Sequence, residues 1–256
     1  MTINDVIEKI EQFAPLSISH DLISKGSYDN SGFLIGDKNV EVDGAVIAID
    51  LCNDAVDLAL EEGCNLIITH HPFIYSPLSS VTEDDYKGRL VRRLIQNGIS
   101  VYSSHLPSDM TKGGIDDLFA EEFKGTVKCK LLDEETYSYG KISETEPKTL
   151  GEFVEELKNK FSFVHFVGES DKTVSRVATF CGKASGKDVS FAIKEKADLF
   201  VSCDIDHQHV VELKECGISV IELLHGESEF YYFKKIYEKL DIGIKKYVCE
   251  TDFRLI

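Results

Sequence analysis

Six residues are of the types that bind metal ions, and four of them recur with the same spacing in the two halves of the chain. They are His70, His71, His105, Asp109, His225 and Glu229. Neutral imidazole is the commonest metal-binding side chain, and three or more imidazoles with two carboxylates suit Zn, Fe, Mn, Co or Ni. The pattern therefore predicts a site for a divalent metal ion. For the adjacent pair His70 and His71, a solvent-exposed turn is the alternative interpretation.

The spacing His-x-x-x-acid occurs three times, and the residues before the histidine distinguish two of the occurrences from the third. In two of them, at 105–109 and 225–229, the histidine follows a Gly-Ile-Ser-Val segment, at 98–101 and 217–220. The third, at 165–169, begins inside an apolar run and is interpreted as part of a strand. A set of about five ligands exceeds the three protein groups of one catalytic zinc. It fits two ions about 3.5–4 Å apart.

Alternating strands and helices position these residues. Apolar runs predict strands at 44–50, 66–69, 100–103, 127–132, 163–167, 174–180 and 244–250. Helical periodicity and caps predict helices at 4–13 with Asn4 as N-cap, 54–62, 87–97, 115–123, 150–160 with a Thr149–Glu152 capping box, and 230–240. This alternation indicates an α/β fold with mainly parallel sheets covered by helices. Ligands of such sheets bind beyond the carboxyl ends of strands, where the histidines lie.

The second half of the chain echoes the first. Besides the shared Gly-Ile-Ser-Val segment, residues 54–71 align with 187–204, and a helix and a short strand close each half. We infer two similar lobes from an internal duplication, at 1–126 and 127–256, with a metal cleft between them. Asp204 then corresponds to a residue of the His-His pair, which makes it a candidate for orienting a ligand or contacting the substrate.

Composition narrows the classes of function. The 256 residues carry a formal charge of −17, which argues against general duplex-DNA binding and against docking on anionic membranes. No apolar run approaches the roughly 20 residues of a membrane span, and the first ten residues lack the features of a signal peptide. Seven widely spaced cysteines without a CxxC motif fit reduced thiols. The expectation is a cytoplasmic protein without membrane attachment.

These motifs, in this order, resemble the Nif-three-like dinuclear metal-centre family, also called GTP cyclohydrolase 1 type 2 homologues. The matching segments are Tyr-Asp-Asn-Ser-Gly at 28–32, Leu-Ile-Ile-Thr-His-His-Pro at 66–72, Gly-Ile-Ser-Val-Tyr-Ser-Ser-His at 98–105 with Asp109, residues 197–204, and His225 with Glu229. The resemblance covers nearly the whole chain. It implies two similar α/β lobes, often with an exchanged C-terminal segment, here about 226–256, and the short form without an inserted domain.

The resemblance also implies roles for individual residues. Two divalent metal ions per chain would be bound by a set of five ligands, with His105 beside the metals. The five are His70, His71, Asp109, His225 and Glu229. Members of the family usually assemble as a homohexamer, a trimer of dimers, so self-association is expected. The residues between the ligands depart from the family pattern, which weakens the transfer of a substrate more than that of the metal site.

Three functions remain open. The first is a metal-dependent hydrolase of a small anionic, nucleotide-like substrate, in which a metal-bound hydroxide attacks the base of GTP. In this reaction His105 or Glu227 would transfer protons, although Glu227 is alternatively a solvated turn residue. The second is a metal-binding or regulatory protein without turnover. The third is a metal-dependent phosphoesterase, which shares the chemistry of the first.

Overall fold

The computed structural model describes residues 1–251 and has a mixed α/β fold with two β-sheets covered by helices. Its helices are α1 (Ile3–Phe13), α2 (Ser17–Ser24), α3 (Asn53–Glu61), α4 (Tyr86–Gln96), α5 (Leu106–Met110), α6 (Ile115–Glu121), α7 (Leu150–Lys158), α8 (Gly186–Lys194), α9 (His207–Glu215) and α10 (His225–Lys239). Its strands are β1 (Gly32–Ile35), β2 (Ala45–Ala48), β3 (Leu66–Thr69), β4 (Ser100–Ser103), β5 (Thr126–Asp133), β6 (Ser138–Thr149), β7 (Val164–Val167), β8 (Thr173–Lys183), β9 (Leu199–Cys203), β10 (Ser219–Leu223) and β11 (Lys246–Val248). None of the helices within residues 1–251 is long and apolar enough to span a membrane.

The chain divides into two compact units, here called unit 1 and unit 2. Unit 1 contains Met1–Thr111 and Phe233–Thr251, and unit 2 contains Lys112–Tyr232. The sequence predicted lobes at 1–126, with an exchanged C-terminal segment at about 226–256, and at 127–256. Those lobes, as products of a duplication, stay a prediction.

Unit 1 is built on a five-stranded sheet in the order β1-β4-β3-β2-β11. β2, β3 and β4 are parallel to one another, β11 is parallel to β2, and β1 is antiparallel to β4. Every residue of β2, β3 and β4 is buried, as expected for strands that are covered on both faces. The strands predicted at 66–69 and 100–103 coincide with β3 and β4.

Helices α3 and α4 bury their apolar stripes against this sheet. Val56 and Ala59 of α3 and Leu90 and Leu94 of α4 belong to one buried cluster with Ile67 of β3. Within each helix these residues are three or four apart, the spacing that places side chains on one helix face. The apolar cluster therefore holds in place the strands whose ends carry the candidate site.

Unit 2 is built on a six-stranded sheet in the order β5-β6-β8-β9-β10-β7. Its centre, β8 to β10, is parallel, whereas the pairs β5–β6, β6–β8 and β10–β7 are antiparallel. This sheet is mixed because the short connection from β5 to β6 allows only an antiparallel hairpin. Unit 1 has four parallel strands and unit 2 has three, and in both sheets an antiparallel strand follows the parallel ones at one side. A duplication would produce this shared pattern.

Side-chain caps start α1 and α7, the two helices for which the sequence predicted a cap. The predicted cap Asn4 is wrong, because Thr2 caps α1. The Thr2 Oγ1 accepts the backbone N–H of Asp5 at 3.2 Å, and the Asp5 carboxylate accepts the backbone N–H of Thr2 at 2.7 Å. At α7, Thr149 and Glu152 form the predicted capping box. Each box satisfies backbone N–H groups that the first turn of a helix leaves without an intrahelical partner.

Helix α10 is longer than predicted. It begins at His225, one turn before the helix expected at 230–240. Residues four apart lie on the same side of a helix, so His225 and Glu229 share a face. The division between unit 1 and unit 2 falls inside this helix, between Tyr232 and Phe233.

Candidate metal centre

In unit 1, two neighbouring strands end beside the predicted histidines. β3 ends directly before His70 and His71, and β4 ends two residues before His105. The two strands are parallel, and their last residues, Thr69 and Ser103, are partners in the register. Carboxyl ends of parallel strands meet at one edge of a sheet, so the three imidazoles are brought together at this edge.

The three rings form a compact cluster. Their centroids lie 4.8 Å apart for His70 and His71, 5.2 Å for His70 and His105, and 5.7 Å for His71 and His105. One ring nitrogen from each of the three lies within 4.8 Å of the other two. Imidazole nitrogens so close together suit a divalent ion of borderline softness. The group could therefore hold a metal ion.

Asp109, in α5, adds a carboxylate to this cluster. Its Oδ1 lies 3.5 Å from the Nε2 of His70. His70 is fully buried and Asp109 is 4% exposed, and ionisable groups are seldom this buried unless they are paired or bind a metal. The Nδ1 of His70 lies 3.1 Å from the backbone oxygen of Ser104. Unit 1 thus brings together four of the six predicted residues.

Carboxylates hold the other two imidazoles of unit 1 at Nδ1. An oxygen of Asp50 lies 2.9 Å from the Nδ1 of His71, and an oxygen of Asp29 lies 2.9 Å from the Nδ1 of His105. A carboxylate accepts the Nδ1 proton, which orients the ring and makes Nε2 the ligand atom. Metal-binding histidines commonly have such partners, so the donor set of unit 1 fits a metal ion.

The buried Asp29 contacts His105 both directly and through Ser31. Burial alone would raise its pKa, but hydrogen bonds from His105 and Ser31 outweigh burial and lower the pKa of the Asp29 carboxyl. The Ser31 hydroxyl donates to Asp29 at 2.7 Å and accepts the backbone N–H of His105 at 3.0 Å. The segment at 28–32 therefore fixes both the backbone and the ring of His105.

In unit 2, His225 and Glu229 lie in the first two turns of α10. The Nε2 of His225 is 3.0 Å from the Glu229 carboxylate, and its Nδ1 is 2.8 Å from Asp204. Glu229 is 1% exposed. Asp204 follows β9 and has a φ of 44°, a left-handed conformation that aspartate adopts more readily than most residues. Asp204 thus orients a candidate ligand, one of the two roles predicted for it.

Gly182, just inside the end of β8, lies against the same pair. Its φ is +71°, and a Cβ at this position would lie 2.9 Å from the Glu229 Oε1 and 3.6 Å from the His225 Nε2. The first distance is shorter than a normal contact. Only glycine gives both the backbone angle and the space that Glu229 occupies.

Glu227 lies apart from His225 and Glu229. Its carboxylate accepts the backbone N–H of Ser162 at 2.8 Å and the Ser162 hydroxyl at 3.0 Å. Residues two apart on an α-helix point about 200° from each other, so Glu227 lies on the other side of α10. These bonds join the start of α10 to the segment before β7. The proton-transfer role of Glu227 stays a prediction.

Two functional residues were not predicted. They are Asp29 and Asp50, which hold the rings of His105 and His71. For Asp29 the available signal was its place in the segment 28–32, which carries part of the family resemblance. For Asp50 it was its position at the end of the predicted strand 44–50, where parallel sheets place functional side chains.

Comparison with known proteins identifies the family. The profile of the Duf34/NIF3 (NGG1p interacting factor 3) family matches residues 1–254. The chain therefore belongs to this family. A relative from Clostridium acetobutylicum, a GTP cyclohydrolase 1 type 2 homolog, is 31% identical over 260 residues, which span 98% of this chain and 94% of the relative.

Solved structures share the fold of this chain. Reduced HcgD from Methanocaldococcus jannaschii superposes with a TM-score of 0.81 at 27% identity, covering 98% of both chains. A Bacillus cereus protein related to NIF3 superposes with a TM-score of 0.84 at 20% identity, covering 99% of this chain and 98% of that chain. These superpositions confirm the predicted α/β fold, and the profile match confirms the predicted family.

Proposed function

We propose that the protein is a metal-dependent hydrolase that acts on a nucleotide-like substrate. Two divalent metal ions would be bound by His70, His71, Asp109, His225 and Glu229. The imidazole cluster of unit 1, with its rings held at Nδ1, is the observation that carries the proposal. The substrate class is supported by a relative that is named as a homolog of a GTP cyclohydrolase.

The family resemblance assigns His225 and Glu229, which lie 3.0 Å apart at the start of α10, to the proposed ligand set. Phe233 of this helix belongs to unit 1, where its ring centroid lies 5.2 Å from that of His70. Glu229 precedes Phe233 by four residues, and His225 precedes Glu229 by four, so the three side chains share one helix face.

The residues of the chain would position the substrate and move protons. When bound, divalent ions supply Lewis acidity and an activated water at neutral pH. Asp29 holds the Nδ1 of His105, so the Nε2 of His105 is the atom that would exchange a proton with the reacting groups. The proposal therefore assigns proton transfer to His105 before Glu227, which is bonded to Ser162.

Two exposed tyrosines support a substrate with a planar ring. Tyr28, next to Asp29, is 52% exposed, and Tyr75, four residues after His71, is 44% exposed. Their ring centroids lie 4.7 Å apart, and the Tyr28 hydroxyl donates to the backbone oxygen of Tyr75. Aromatic side chains stack on nucleobases with about 1–3 kcal/mol per base. The tyrosine pair, close in sequence to residues of the centre, suits a purine.

The test is turnover of GTP by full-length protein loaded separately with Zn, Mn or Fe(II), with formate release as the readout. His71→Ala and His225→Ala should each reduce the rate about 100-fold or more, because each removes a metal ligand. His165→Ala, which removes an exposed histidine of β7, is the matched control and should keep the wild-type rate. Equal rates in the wild type and in His70→Ala/His71→Ala would contradict the metal mechanism.

Other outcomes separate the alternatives. Release of phosphate in place of formate would replace the cyclohydrolase by a phosphoesterase. Metal binding without turnover of nucleotides or phosphoesters would support the regulatory alternative. Replacing both Tyr28 and Tyr75 by alanine should raise KM about tenfold or more with kcat nearly unchanged, because stacking contributes binding to substrate and transition state alike.

The proposal includes a homohexamer, a trimer of dimers, that works in the cytoplasm on a small anionic substrate. Two bound divalent ions would change the formal charge of the chain from −17 to about −13. The ions would then determine the electric field inside the site. The acidic composition of the chain is therefore compatible with binding of an anionic nucleotide there.

A further inference from the structure

Two of the seven cysteines meet in unit 1, although 197 positions separate Cys52 from Cys249 in the chain. Cys52 follows β2 and is the N-cap residue of α3, and Cys249 directly follows β11. β2 and β11 are parallel neighbours, with Val248 beside Ile47, and the backbone N–H of Cys249 donates to the Ile47 oxygen at 2.8 Å. Both cysteines therefore lie just beyond the carboxyl ends of adjacent strands.

The two side chains share one environment. Cys249 is 5% exposed and belongs to the apolar cluster of unit 1, and the half-buried Cys52 packs against the same cluster. Each thiol is the main cause of the pKa shift of the other, so the two groups are neighbours. Neighbouring thiols on backbones held side by side by a strand pair are candidates for a disulfide.

The surroundings give the two thiols different acidities. The hydrogen bond from Cys249, together with the backbone N–H groups of Ala55 and Asp54 at the start of α3, lowers the pKa of Cys52 to about 6 despite its partial burial. The same thiol–thiol hydrogen bond and burial raise the pKa of Cys249. Cys52, half-buried at the N-terminus of α3, is thus the more acidic and accessible thiol, and Cys249 is the buried one, which is the division of roles between an attacking and a resolving cysteine.

We propose that Cys52 and Cys249 form a peroxide-reactive pair that oxidises to an intramolecular disulfide. The Cys52 sulfur attacks one oxygen of hydrogen peroxide, the O–O bond breaks, and Cys52 becomes a sulfenic acid while hydroxide leaves and takes up a proton as water. The Cys249 sulfur then attacks the Cys52 sulfur, the S–S bond forms, and the S–O bond breaks. The departing hydroxide takes the Cys249 proton, so two thiols and one peroxide give one disulfide and two waters.

The disulfide would affect the candidate metal centre through the segment that carries both Cys52 and Asp50. It would tie the C-terminal strand β11 to the segment that follows β2. That segment carries Asp50, two residues before Cys52, whose carboxylate holds His71. The oxidation state of the pair would therefore set how firmly this segment is anchored, independently of which substrate the centre takes.

The test uses the full-length reduced protein and a slight excess of hydrogen peroxide, followed by thiol alkylation, digestion and mass spectrometry. The expected product is a peptide pair linked through Cys52 and Cys249, with the protein lighter by two hydrogen atoms and monomeric on a non-reducing gel. Cys249→Ser should stop at a Cys52 sulfenic acid that a 1,3-diketone probe traps. A parallel sample with chelator should give the same disulfide, because no metal takes part.

Cys216 provides the matched control, since it is exposed at the end of α9 in unit 2. Cys216→Ser should leave the rate of peroxide consumption unchanged, and Cys52→Ser should reduce it about tenfold or more. The inference is overturned if Cys216 is oxidised faster than Cys52, if the disulfide joins another pair, or if it forms only without chelator. Should a serine variant fail to fold, differential alkylation of all seven wild-type cysteines decides the same question.

Discussion

Two candidate ligands obtain their orienting carboxylates in the same way. Asp50 follows β2 and holds His71, which follows the neighbouring strand β3. Asp204 follows β9 and holds His225, which follows the neighbouring strand β10. Parallel strands in register place their ends about 5 Å apart, so an acid after one strand can reach a histidine after the next. These acids set which nitrogen binds the metal.

Removing such an acid should weaken metal binding without unfolding the protein. Asp50→Asn keeps the size of the side chain but replaces the charged acceptor of the His71 Nδ1 proton. The affinity for Zn²⁺ should fall about 10- to 100-fold, measured by calorimetric titration. Because more than half of the Asp50 side chain is exposed (57%), the Tm without metal should change little.

Asp54→Asn is the control for this change. Asp54 lies in the first turn of α3 and is also exposed. Its substitution should leave the Zn²⁺ affinity at the wild-type value. Equal affinities for the Asp50 variant and the wild type would mean that the Asp50 carboxylate does not prepare His71 for metal.

At the level of elements, the end of β8 must pass close to α10. Gly182 makes this possible, since a Cβ there would lie 2.9 Å from the Glu229 Oε1. Gly182→Ala should therefore displace the Glu229 carboxylate and lower the Zn²⁺ affinity about tenfold or more. It should also cost about 1–2 kcal/mol of stability because the residue stays in a left-handed conformation.

Gly217→Ala distinguishes backbone strain from displacement of the Glu229 carboxylate. Gly217 has a φ of +76°, close to that of Gly182, but a Cβ there would meet nothing within 4 Å. This variant should lose similar stability in urea unfolding and keep the metal affinity. If both variants lose metal affinity equally, backbone strain and not the contact with Glu229 is the cause.

A buried ion pair joins α6 to the sheet of unit 2. Asp116 of α6 and Lys141 of β6 are 0% and 2% exposed, and their charged groups are in direct contact. The Asp116 carboxylate also accepts the backbone N–H of Gly140 at 3.1 Å and that of Cys181 at 3.4 Å. The pair therefore fixes α6 against β6 and β8.

Lys141→Met should lower the free energy of unfolding by about 3–5 kcal/mol at pH 7.5, because it leaves a buried carboxylate without its cation. Burial raises the pKa of Asp116, so a proton neutralises this carboxyl more readily in the folded than in the unfolded chain. The loss should consequently shrink as the pH falls toward 5, as measured by urea unfolding at both values. Lys128→Met, at an exposed pair with Glu144, should change stability by no more than about 1 kcal/mol.

The elements were predictable where long-range contacts only reinforced a local pattern. β3 and β4 are short, fully buried apolar runs, and their bounds were predicted correctly. α5 has five residues and contains Pro107, so no helical period marks it. The start of α10 was missed because His225 and Glu227 read as turn residues until their contacts with Asp204 and Ser162 are known.

For the molecule as a whole, the proposed ligand set includes both His71 and His225, so their substitutions should be coupled through the metal. His71→Ala and His225→Ala should each reduce Zn²⁺ affinity strongly. The double variant should lose less than the sum of the two free energies, because either loss already disables the shared centre. Strictly additive losses in calorimetric titration would indicate two separate sites.

The assembly is a second prediction at this scale. Six chains of 28.7 kDa should sediment as one species of about 172 kDa in analytical ultracentrifugation. A mass of 28.7 kDa over the micromolar range would exclude the hexamer.

The chemical character of the candidate centre could be derived from residue types and order alone. Metal donors are specific atoms of histidine and carboxylate side chains, and a strand end is a local feature, so His70, His71 and His105 were recognisable in the linear chain. The tertiary structure decided which acids hold these rings, why Gly182 must lack a side chain, and that Cys52 meets Cys249. These are contacts between segments far apart in sequence, and their existence depends on how the buried sheets pack and not on any local preference.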